Sequence, residues 1–357
     1  MKTNKKMGLS FAIGIFFSGL AFYFTFKNIP FNELIIYLAS VNYLWIFPTV
    51  SLVILSFVLR VVRWQIILGT RENIGFWRAF NPLMIGFMLN CVLPGRVGEL
   101  ARPAILQKNE RVSFSTGIAT VAAERVFDMA MLISLLLLVM TFVNIDPDFT
   151  MTFGKYRLSR DLLFDISSGM IKICIVMMIC IIILCIDNAR KKINNLLMKT
   201  PNFFFFLDEN KKDKMRLKII TPLVGFIDNF ALGFAMIKDP IKILLCLVLS
   251  ATIWGISALG YYVMSIGSPG IELSYAQIAA YMIIICCFIA LPSVPGFWGI
   301  WEAGGVFALS LFGVSYKDAL GYTLSNHAIQ IFPVIIIGFA SAIYTGTNIL
   351  ETTRAKQ

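Results

Sequence analysis

Two short stretches decide how this chain folds: Leu93-Pro94-Gly95-Arg96-Val97-Gly98-Glu99 and Pro295-Gly296-Phe297-Trp298-Gly299-Ile300-Trp301-Glu302. We call residues 93–99 the first break and residues 295–302 the second break. Each follows a hydrophobic run that ends in Leu-Pro, and each contains Pro-Gly-x-x-Gly with a glutamate close behind. Proline ends a helix, and glycine adopts backbone angles that other residues avoid. Interrupted hydrophobic segments at matching positions of two halves are typical of a transporter's binding site.

The composition around the breaks is that of a membrane protein. Hydrophobic residues make up 58% of the 357 residues and charged residues only 14%, well away from the average of soluble domains. Apolar runs of about twenty residues, long enough to cross roughly 30 Å of hydrocarbon, recur along the chain. The first run, Leu9 to Phe26, follows three lysines but lacks an A-x-A-like cleavage site, so we predict a retained span.

Charge and cysteine usage set the compartment. The net charge is +11, and its positive residues crowd the segment 188–218, so the positive-inside rule places that segment and both termini in the cytoplasm. We therefore predict a multi-pass protein of the cell (inner) membrane. The seven cysteines all lie in apolar runs, which favours buried thiols over a disulfide framework or a metal site. No metal, cofactor or nucleic-acid partner is expected.

Six full spans are predicted, at about 8–26, 43–61, 115–143, 166–187, 243–266 and 318–345. Two further hydrophobic stretches, Phe76 to Asn90 and Tyr275 to Leu291, run into the breaks and must return to the side they entered. We interpret both as re-entrant helical hairpins. The residues expected to form their tips are Pro94, Gly95, Gly98, Pro292, Pro295, Gly296 and Gly299. A pair of complete crossings at each place would give the same sidedness and is the alternative.

The order span, hairpin, span occurs at 43–143 and again, with the opposite orientation, at 243–345. The predicted fold class is therefore an all-α polytopic membrane protein, a single membrane domain over residues 1–357, arranged as an inverted repeat. This arrangement would put the two breaks face to face near the bilayer midplane. Between the repeats, residues 188–238 are predicted to form a cytoplasmic basic linker with an interfacial helix.

Ionisable residues within the apolar regions are the candidate site, because such residues are costly in a membrane and by default mark a pathway or a binding site. Arg96 and Arg102 follow the first break, beside exposed helix N-termini, and such guanidinium groups suit a phosphate. The full candidate set for substrate binding is Arg96, Glu99, Arg102, Glu124, Arg125, Asp128 and Glu302.

Several candidates also have a structural interpretation. Glu99 and Glu302 would cap the returning half-helices, a contribution of about 0.3–1 kcal/mol each. The cluster at residues 124–128 would form a neutralised network that holds the hairpin to its span. The single histidine, His327, is interpreted as a hydrogen-bonded packing residue, with a proton relay as the alternative.

Enzyme motifs are poorly represented. The sequence has no P-loop, dinucleotide fingerprint, metal-ligand cluster or G-x-S-x-G elbow. Asp146-Pro147-Asp148 matches a D-x-D pattern, but in an acidic loop a solvated turn is the better interpretation. The longest polar stretch, 188–218, is too short for a catalytic domain. We therefore expect no catalytic residues.

At these residues the chain resembles the lysylphosphatidylglycerol synthase transmembrane-region family, also called the flippase-like domain family. The resemblance rests on Asn90 to Arg102, on Glu124-Arg125-Val126-Phe127-Asp128 and on Pro295 to Glu302, in that order. Family members translocate aminoacylated phosphatidylglycerol or are linked to polyprenyl-phosphate sugars, and several are fused to a soluble transferase domain. We expect a stand-alone membrane module without synthase activity.

The expected function is translocation between leaflets of a lipid with an anionic or phosphate-bearing headgroup. That lipid would be an aminoacyl-phospholipid, a glycolipid or a polyprenyl-phosphate-linked lipid. The alternative is a membrane-embedded lipid-linked glycosyl or aminoacyl transferase, or its membrane subunit. A third interpretation is a scaffold that presents lipid to a separate lipid-modifying synthase. A homo-oligomer is compatible with each of these functions.

Overall fold

The computed structural model describes residues 31–69, 74–93, 96–110, 112–142, 150–153, 156–203, 208–234, 236, 239–289 and 295–346. Within these ranges the chain is almost entirely helical, as the apolar composition predicts. The expected first span at 8–26 lies outside the described residues, as do the break residues Pro94, Gly95 and Pro292.

The first half of the chain places the first break between two helices. Its helices are α1 (Phe31–Ser40), α2 (Ile46–Leu68), α3 (Phe76–Val92), α4 (Gly98–Glu110) and α5 (Phe114–Phe142), with a 3-10 turn at Tyr43–Trp45 before α2. The first break separates α3 from α4, so these two helices form the first hairpin.

The second half places the second break in the same way. It contains α6 (Arg160–Cys185), α7 (Asp187–Phe203), α8 (Glu209–Met215), a π-helical turn (Arg216–Ile220), α9 (Thr221–Gly233), α10 (Pro240–Ile266), α11 (Tyr275–Ile289), a 3-10 turn (Pro295–Phe297), α12 (Ile300–Ser310) and α13 (Tyr316–Tyr344). The second break separates α11 from α12, which form the second hairpin.

One element departs from the all-α expectation. Strands β1 (Thr150–Phe153) and β2 (Tyr156–Ser159) pair antiparallel, with Thr150 opposite Ser159 and Phe153 opposite Tyr156. Threonine and aromatic residues favour strands, but the sequence-based prediction gave more weight to the neighbouring charges and expected a loop.

Among the described residues, three helical segments are long and apolar enough to cross a membrane: Tyr43–Leu68, Pro240–Ile266 and Tyr316–Tyr344. Helix α5 is equally long, at 29 residues, but carries Glu124, Arg125 and Asp128 in its interior. Residues Ile171–Cys185 of α6 meet α7 at an angle of 88°. The predicted span at 43–61 proves to be longer, because the helix continues to Leu68.

The helix contacts are equivalent in the two halves. Helix α2 packs against α10, so the first helices of the two units contact each other. Helix α3 of the first hairpin packs against α13, and α11 of the second hairpin packs against α5. Each hairpin also contacts the long helix that follows it, α4 with α5 and α12 with α13. Each of these contacts of the unit at 43–143 therefore has a counterpart in the unit at 243–345.

The linker helix α9 packs against the beginning of α5. Thr116 donates a hydrogen bond to the carbonyl oxygen of Asn229 at 3.2 Å. A Cβ atom added to Gly233 would lie only 2.3 Å from the Cβ of Ala119, so glycine is needed for this close approach. Phe234, just beyond α9, is buried against the same region. The predicted position of this helix at the cytoplasmic interface stays a prediction.

Candidate functional site

Two carboxylates on α5 organise a cluster of charged side chains. Glu124 and Asp128 lie one helical turn apart and are 1% and 8% exposed. They are ten and fourteen residues beyond the start of α5, which places them about 15–21 Å along its axis. Carboxylates this far inside an apolar bundle require positively charged partners, and those partners come from α2, α4 and α5 itself.

Arg63 on α2 is the most deeply buried partner, with no exposed surface. Its Nη1 donates to Asp128 Oδ1 at 2.7 Å and to the hydroxyl of Ser250 at 2.8 Å. Its Nη2 lies 3.8 Å from Glu124 Oε1. One guanidinium therefore ties α2 to α5 and α10.

Arg60 lies one turn earlier on α2 and is less tightly held. Its Nη1 is 3.9 Å from Asp128 Oδ2, and its side chain is 18% exposed. The guanidinium carbon lies 5.8 Å from the ring centroids of both Phe57 and Phe87, within cation–π range. Arg60 thus stands at the edge of the cluster.

Arg102 brings the first hairpin into the cluster. Its Nη2 forms an ion pair with Glu124 Oε2 at 2.7 Å. Its guanidinium carbon lies 4.1 Å from the ring centroid of Trp64, close enough for a strong cation–π contact. Trp64 is itself fixed, because its indole N–H donates to the hydroxyl of Thr120 at 3.1 Å. The side chain of Arg102 is 3% exposed.

Arg96 and Arg125 form the more accessible side of the same cluster. Arg125 lies 3.4 Å from Asp128 and 3.8 Å from Glu99, and Arg96 lies 4.0 Å from Glu99. The side chain of Arg96 is 45% exposed, and that of Arg125 is 27% exposed. Arg96 also has a positive φ of 53°, a backbone conformation that non-glycine residues seldom adopt and that is often found at functional sites.

The cluster carries more positive than negative charge. Its members are the arginines Arg60, Arg63, Arg96, Arg102 and Arg125 and the carboxylates Glu99, Glu124 and Asp128. Counted over the part of the chain that the structure describes, five guanidinium groups face three carboxylates, which leaves an excess of two positive charges. In addition, the buried Nε–H groups of Arg63 and Arg102 have no hydrogen-bond acceptor among the described residues. The cluster therefore has both the charge and the free donors to accept an anion.

The first hairpin is closed by glycine and asparagine. The backbone N–H of Gly98 donates to Asn90 Oδ1 at 2.8 Å, across the break. A Cβ atom at Gly98 would lie 1.7 Å from the carbonyl oxygen of Gly86, and one at Gly86 would lie 2.3 Å from Cγ of Arg102. Both contacts exclude any larger residue. The pair of glycines is what lets α4 lie against α3 and carry Arg102 to Glu124.

The second break is a run of left-handed backbone conformations. Gly296, Phe297 and Gly299 have φ values of 66°, 61° and 88°. The N–H of Gly299 donates to Glu302 Oε2 at 2.6 Å, so Glu302 caps the start of α12. The structural interpretation of Glu302 as a helix cap is therefore confirmed. Two glycines are required here because they adopt this region without strain.

Glu302 also contacts the single histidine. Nδ1 of His327, on α13, lies 2.6 Å from Glu302 Oε1, and Nε2 lies 2.9 Å from the carbonyl oxygen of Gly296. The ring of Trp301 stacks on the imidazole at a centroid distance of 4.3 Å and an angle of 4°. The ring of Trp298 lies 4.4 Å away. Glu302 and His327 have no exposed surface.

The two breaks meet. Nη2 of Arg96 donates to the carbonyl oxygen of Ile289, the last residue of α11, at 3.0 Å. A Cβ atom at Gly296 would lie 3.2 Å from the carbonyl oxygen of Cys91, near the end of α3. The Arg96 contact thus joins the charged cluster of the first hairpin to the end of α11 in the second hairpin.

The structure groups the sequence-predicted residues into two sets. Six of the seven lie in one cluster: Arg96, Glu99, Arg102, Glu124, Arg125 and Asp128. Glu302 lies apart, bound to His327. The sequence-based prediction missed Arg60 and Arg63 as cluster members because it ended the span at about residue 61 and counted both arginines among the basic residues at its cytoplasmic end. The apolar residues that continue from Trp64 to Leu68 were the signal that the helix goes on.

The described fold and site define a class: a multi-pass helical membrane protein in which two broken hairpins meet beside a buried charged cluster. Comparison with known proteins names the family. The sequence profile of the lysylphosphatidylglycerol synthase TM region matches residues 11–338, so the chain belongs to that family, as its motifs predicted.

Two membrane proteins of methanogenic organisms are similar in sequence to most of the chain. A UPF0104 membrane protein of Methanocaldococcus jannaschii is 25% identical over 264 residues, which cover 74% of this chain and 96% of that protein. A UPF0104 membrane protein of Methanothermobacter thermautotrophicus is 23% identical over 307 residues, which cover 84% of this chain and 86% of that protein. No solved structure matches the chain significantly.

Proposed function

We propose that this protein moves a lipid with an anionic or phosphate-bearing headgroup between the leaflets of the inner membrane. The observation that carries the proposal is the excess of two positive charges in the charged cluster. Unpaired charge inside a membrane protein is costly and marks a substrate pathway. A headgroup phosphate would supply the missing negative charge and several acceptor oxygens for the free N–H groups of Arg63 and Arg102.

The helix arrangement supports transport as the kind of function. Equivalent contacts in the two units are what an inverted repeat of six spans and two re-entrant hairpins would produce. In such a transporter the broken helices line the substrate site, and rocking of one repeat against the other exposes that site to each side in turn. The contact of Arg96 with the end of α11 is consistent with that geometry. The basic linker and both termini would face the cytoplasm.

Within this proposal the arginines divide by accessibility. Arg60, Arg96 and Arg125 lie at the partly exposed edge and would meet the headgroup first. Arg63 and Arg102 hold the buried carboxylates and would turn their free N–H groups to the headgroup once it has entered. The acyl or prenyl chains would stay in the bilayer.

The cluster carboxylates favour transport over group transfer. Glu99, Glu124 and Asp128 each lie within 4.0 Å of at least two arginines. In such a network the carboxylate oxygens already face guanidinium groups. Acid–base chemistry of the kind a transferase needs would first require an ion pair to break.

The proposal is tested with Arg96→Ala in purified protein reconstituted in liposomes. The variant should slow movement of labelled phosphatidylglycerol by tenfold or more, because loss of a hydrogen bond to a charged group removes about 1.5–3 kcal/mol. Arg96→Lys should restore part of the rate, since lysine keeps the charge but lacks the bidentate fork. Lipid retained by the purified protein is identified by mass spectrometry.

Arg78→Ala is the matched control. Arg78 is also an arginine on the first hairpin, but its side chain is 68% exposed and pairs with Glu110 at 3.3 Å, away from the cluster. Its substitution should leave lipid movement unchanged. A fully active Arg96→Ala variant, or covalent change of the labelled lipid by the wild-type protein, would contradict the proposal.

A further inference from the structure

The hydrogen-bond partners of His327 indicate which of its ring nitrogens carry a proton. Nε2 faces the carbonyl oxygen of Gly296, which can only accept, so Nε2 carries a hydrogen. Nδ1 then faces Glu302 Oε1 at 2.6 Å, and two lone pairs cannot face each other at that distance. One further proton must lie between imidazole and carboxylate. The other oxygen of Glu302 already accepts from the N–H of Gly299.

We infer that Glu302 and His327 form a proton-binding site, and that the proton shared between Nδ1 and Oε1 couples lipid movement to a proton gradient. The inference rests on the proposed function, because it names the ion that would drive transport through the same two breaks. With the proton present the pair is neutral overall. When the proton leaves, Glu302 is a carboxylate beside a neutral imidazole, and the pair carries one negative charge.

The surroundings of the pair make that charge difficult to hold. The titratable groups buried in the same core include the phenols of Tyr261, Tyr281 and Tyr322 and the thiols of Cys91, Cys286 and Cys287, which are ordinarily neutral at pH 7. The charged side chains of the packed helices stand at helix starts: Arg78 on α3, Lys242 on α10, and Lys317 and Asp318 on α13. The guanidinium of the facing break, Arg96, donates to the carbonyl of Ile289 instead. No ion pair of Glu302 other than that with His327 is found among the described residues. Release of the proton therefore requires the site to open to water.

Opening the site would move the second break. The shared proton links Glu302, at the start of α12, to α13, and the Nε2 hydrogen bond links α13 to Gly296. Without the shared proton the lone pairs of Nδ1 and Oε1 repel each other, and this hydrogen bond between α12 and α13 is lost. The break contacts the end of α3, and Arg96 contacts the end of α11, so this rearrangement reaches the charged cluster.

The proton site can be examined without transport, because the chain has one histidine. Protein labelled with 15N-histidine gives the two nitrogen signals of a single imidazole ring by NMR. We expect Nε2 to be protonated and the Nδ1 resonance to lie between the protonated and unprotonated values. In Glu302→Gln the amide N–H would donate to Nδ1, and the resonance should move to the unprotonated value. An unprotonated Nε2, or identical Nδ1 resonances in both proteins, would overturn the inference.

Coupling is measured in liposomes with the membrane potential clamped at zero. If one proton moves with each lipid, a difference of one pH unit should shift the distribution of labelled phosphatidylglycerol by up to tenfold. Glu302→Gln keeps the hydrogen-bonded link but has no carboxyl group that can take up and release the shared proton. Its lipid distribution should therefore not change with the pH difference.

Glu272→Gln is the control, because it removes a carboxylate from an exposed loop position, and it should respond as the wild-type protein does. If the wild-type protein moves lipid but the lipid distribution does not change with the pH difference, the coupling is overturned and the proposed function remains intact. A wild-type protein that moves no lipid would overturn the proposed function, and with it the coupling, while the NMR result would still decide the proton site.

Discussion

Replacing Arg63 with alanine should destabilise the protein far more than replacing Arg96. Arg63 is fully buried and holds Asp128 at 2.7 Å and Ser250 at 2.8 Å, with Glu124 at 3.8 Å. Removing one partner of a buried ion pair typically costs about 3–5 kcal/mol, because the remaining charge is uncompensated. A loss of 3 kcal/mol reduces the ratio of folded to unfolded protein by roughly 150-fold, a large part of the usual net stability.

The assay is heating of the detergent-purified protein, followed by size-exclusion chromatography of what remains folded. Arg63→Ala should lose its folded peak at a clearly lower temperature than the wild-type protein. Arg96→Ala should match the wild type, because its side chain is 45% exposed and its ion pair with Glu99 is 4.0 Å long. Equal melting of the two variants would refute the division between buried, structural arginines and accessible, substrate-binding ones.

Three further predictions concern the ion pair of Glu124, the closure of the first hairpin and the topology. Glu124→Gln should lower thermal stability and lipid movement together, since it weakens the ion pair with Arg102, and stability is read by the same heating assay. Gly98→Ala should prevent the first hairpin from closing, because its Cβ would lie 1.7 Å from a carbonyl oxygen. Gly75→Ala is its control, because no atom lies within 4 Å of a Cβ added there. An equal yield of folded protein for the two variants would contradict the prediction. After removal of the native cysteines, a single cysteine placed at Lys211 should be labelled only from the cytoplasmic side of the membrane. A single cysteine placed within 146–165 should be labelled from outside the cell. The reverse labelling pattern would contradict the predicted topology.

The sequence predicted the breaks and most of the cluster because both depend on local chemistry. Proline and glycine fix where a helix stops, and spacings of three and four residues place charged side chains on one face of a helix. These local rules identified residues 96–102 and 124–128. The same reasoning identified Glu302 as the cap of a returning helix.

What the sequence could not supply was the pairing between distant helices. Arg63 meets Asp128 across 65 residues, and His327 meets Glu302 across 25, and neither spacing leaves a local signal. The end of the second span was placed too early because Arg60 and Arg63 look like the basic end of a membrane helix. Only the fold shows that α5 brings two carboxylates to them. Strands β1 and β2 were not predicted, because two runs of four residues give only a weak strand pattern.

The most direct measurement is the rate at which wild-type protein in liposomes moves labelled phosphatidylglycerol compared with labelled phosphatidylcholine. Both lipids contain a phosphate, but only phosphatidylglycerol carries a net negative charge that would balance the charged cluster. We predict that the protein moves phosphatidylglycerol at least tenfold faster than protein-free liposomes do, and faster than it moves phosphatidylcholine. No rate above that of protein-free liposomes would contradict the central claim that the protein translocates such a lipid. Equal rates for the two lipids would contradict the claim that the charge excess of the cluster selects an anionic headgroup.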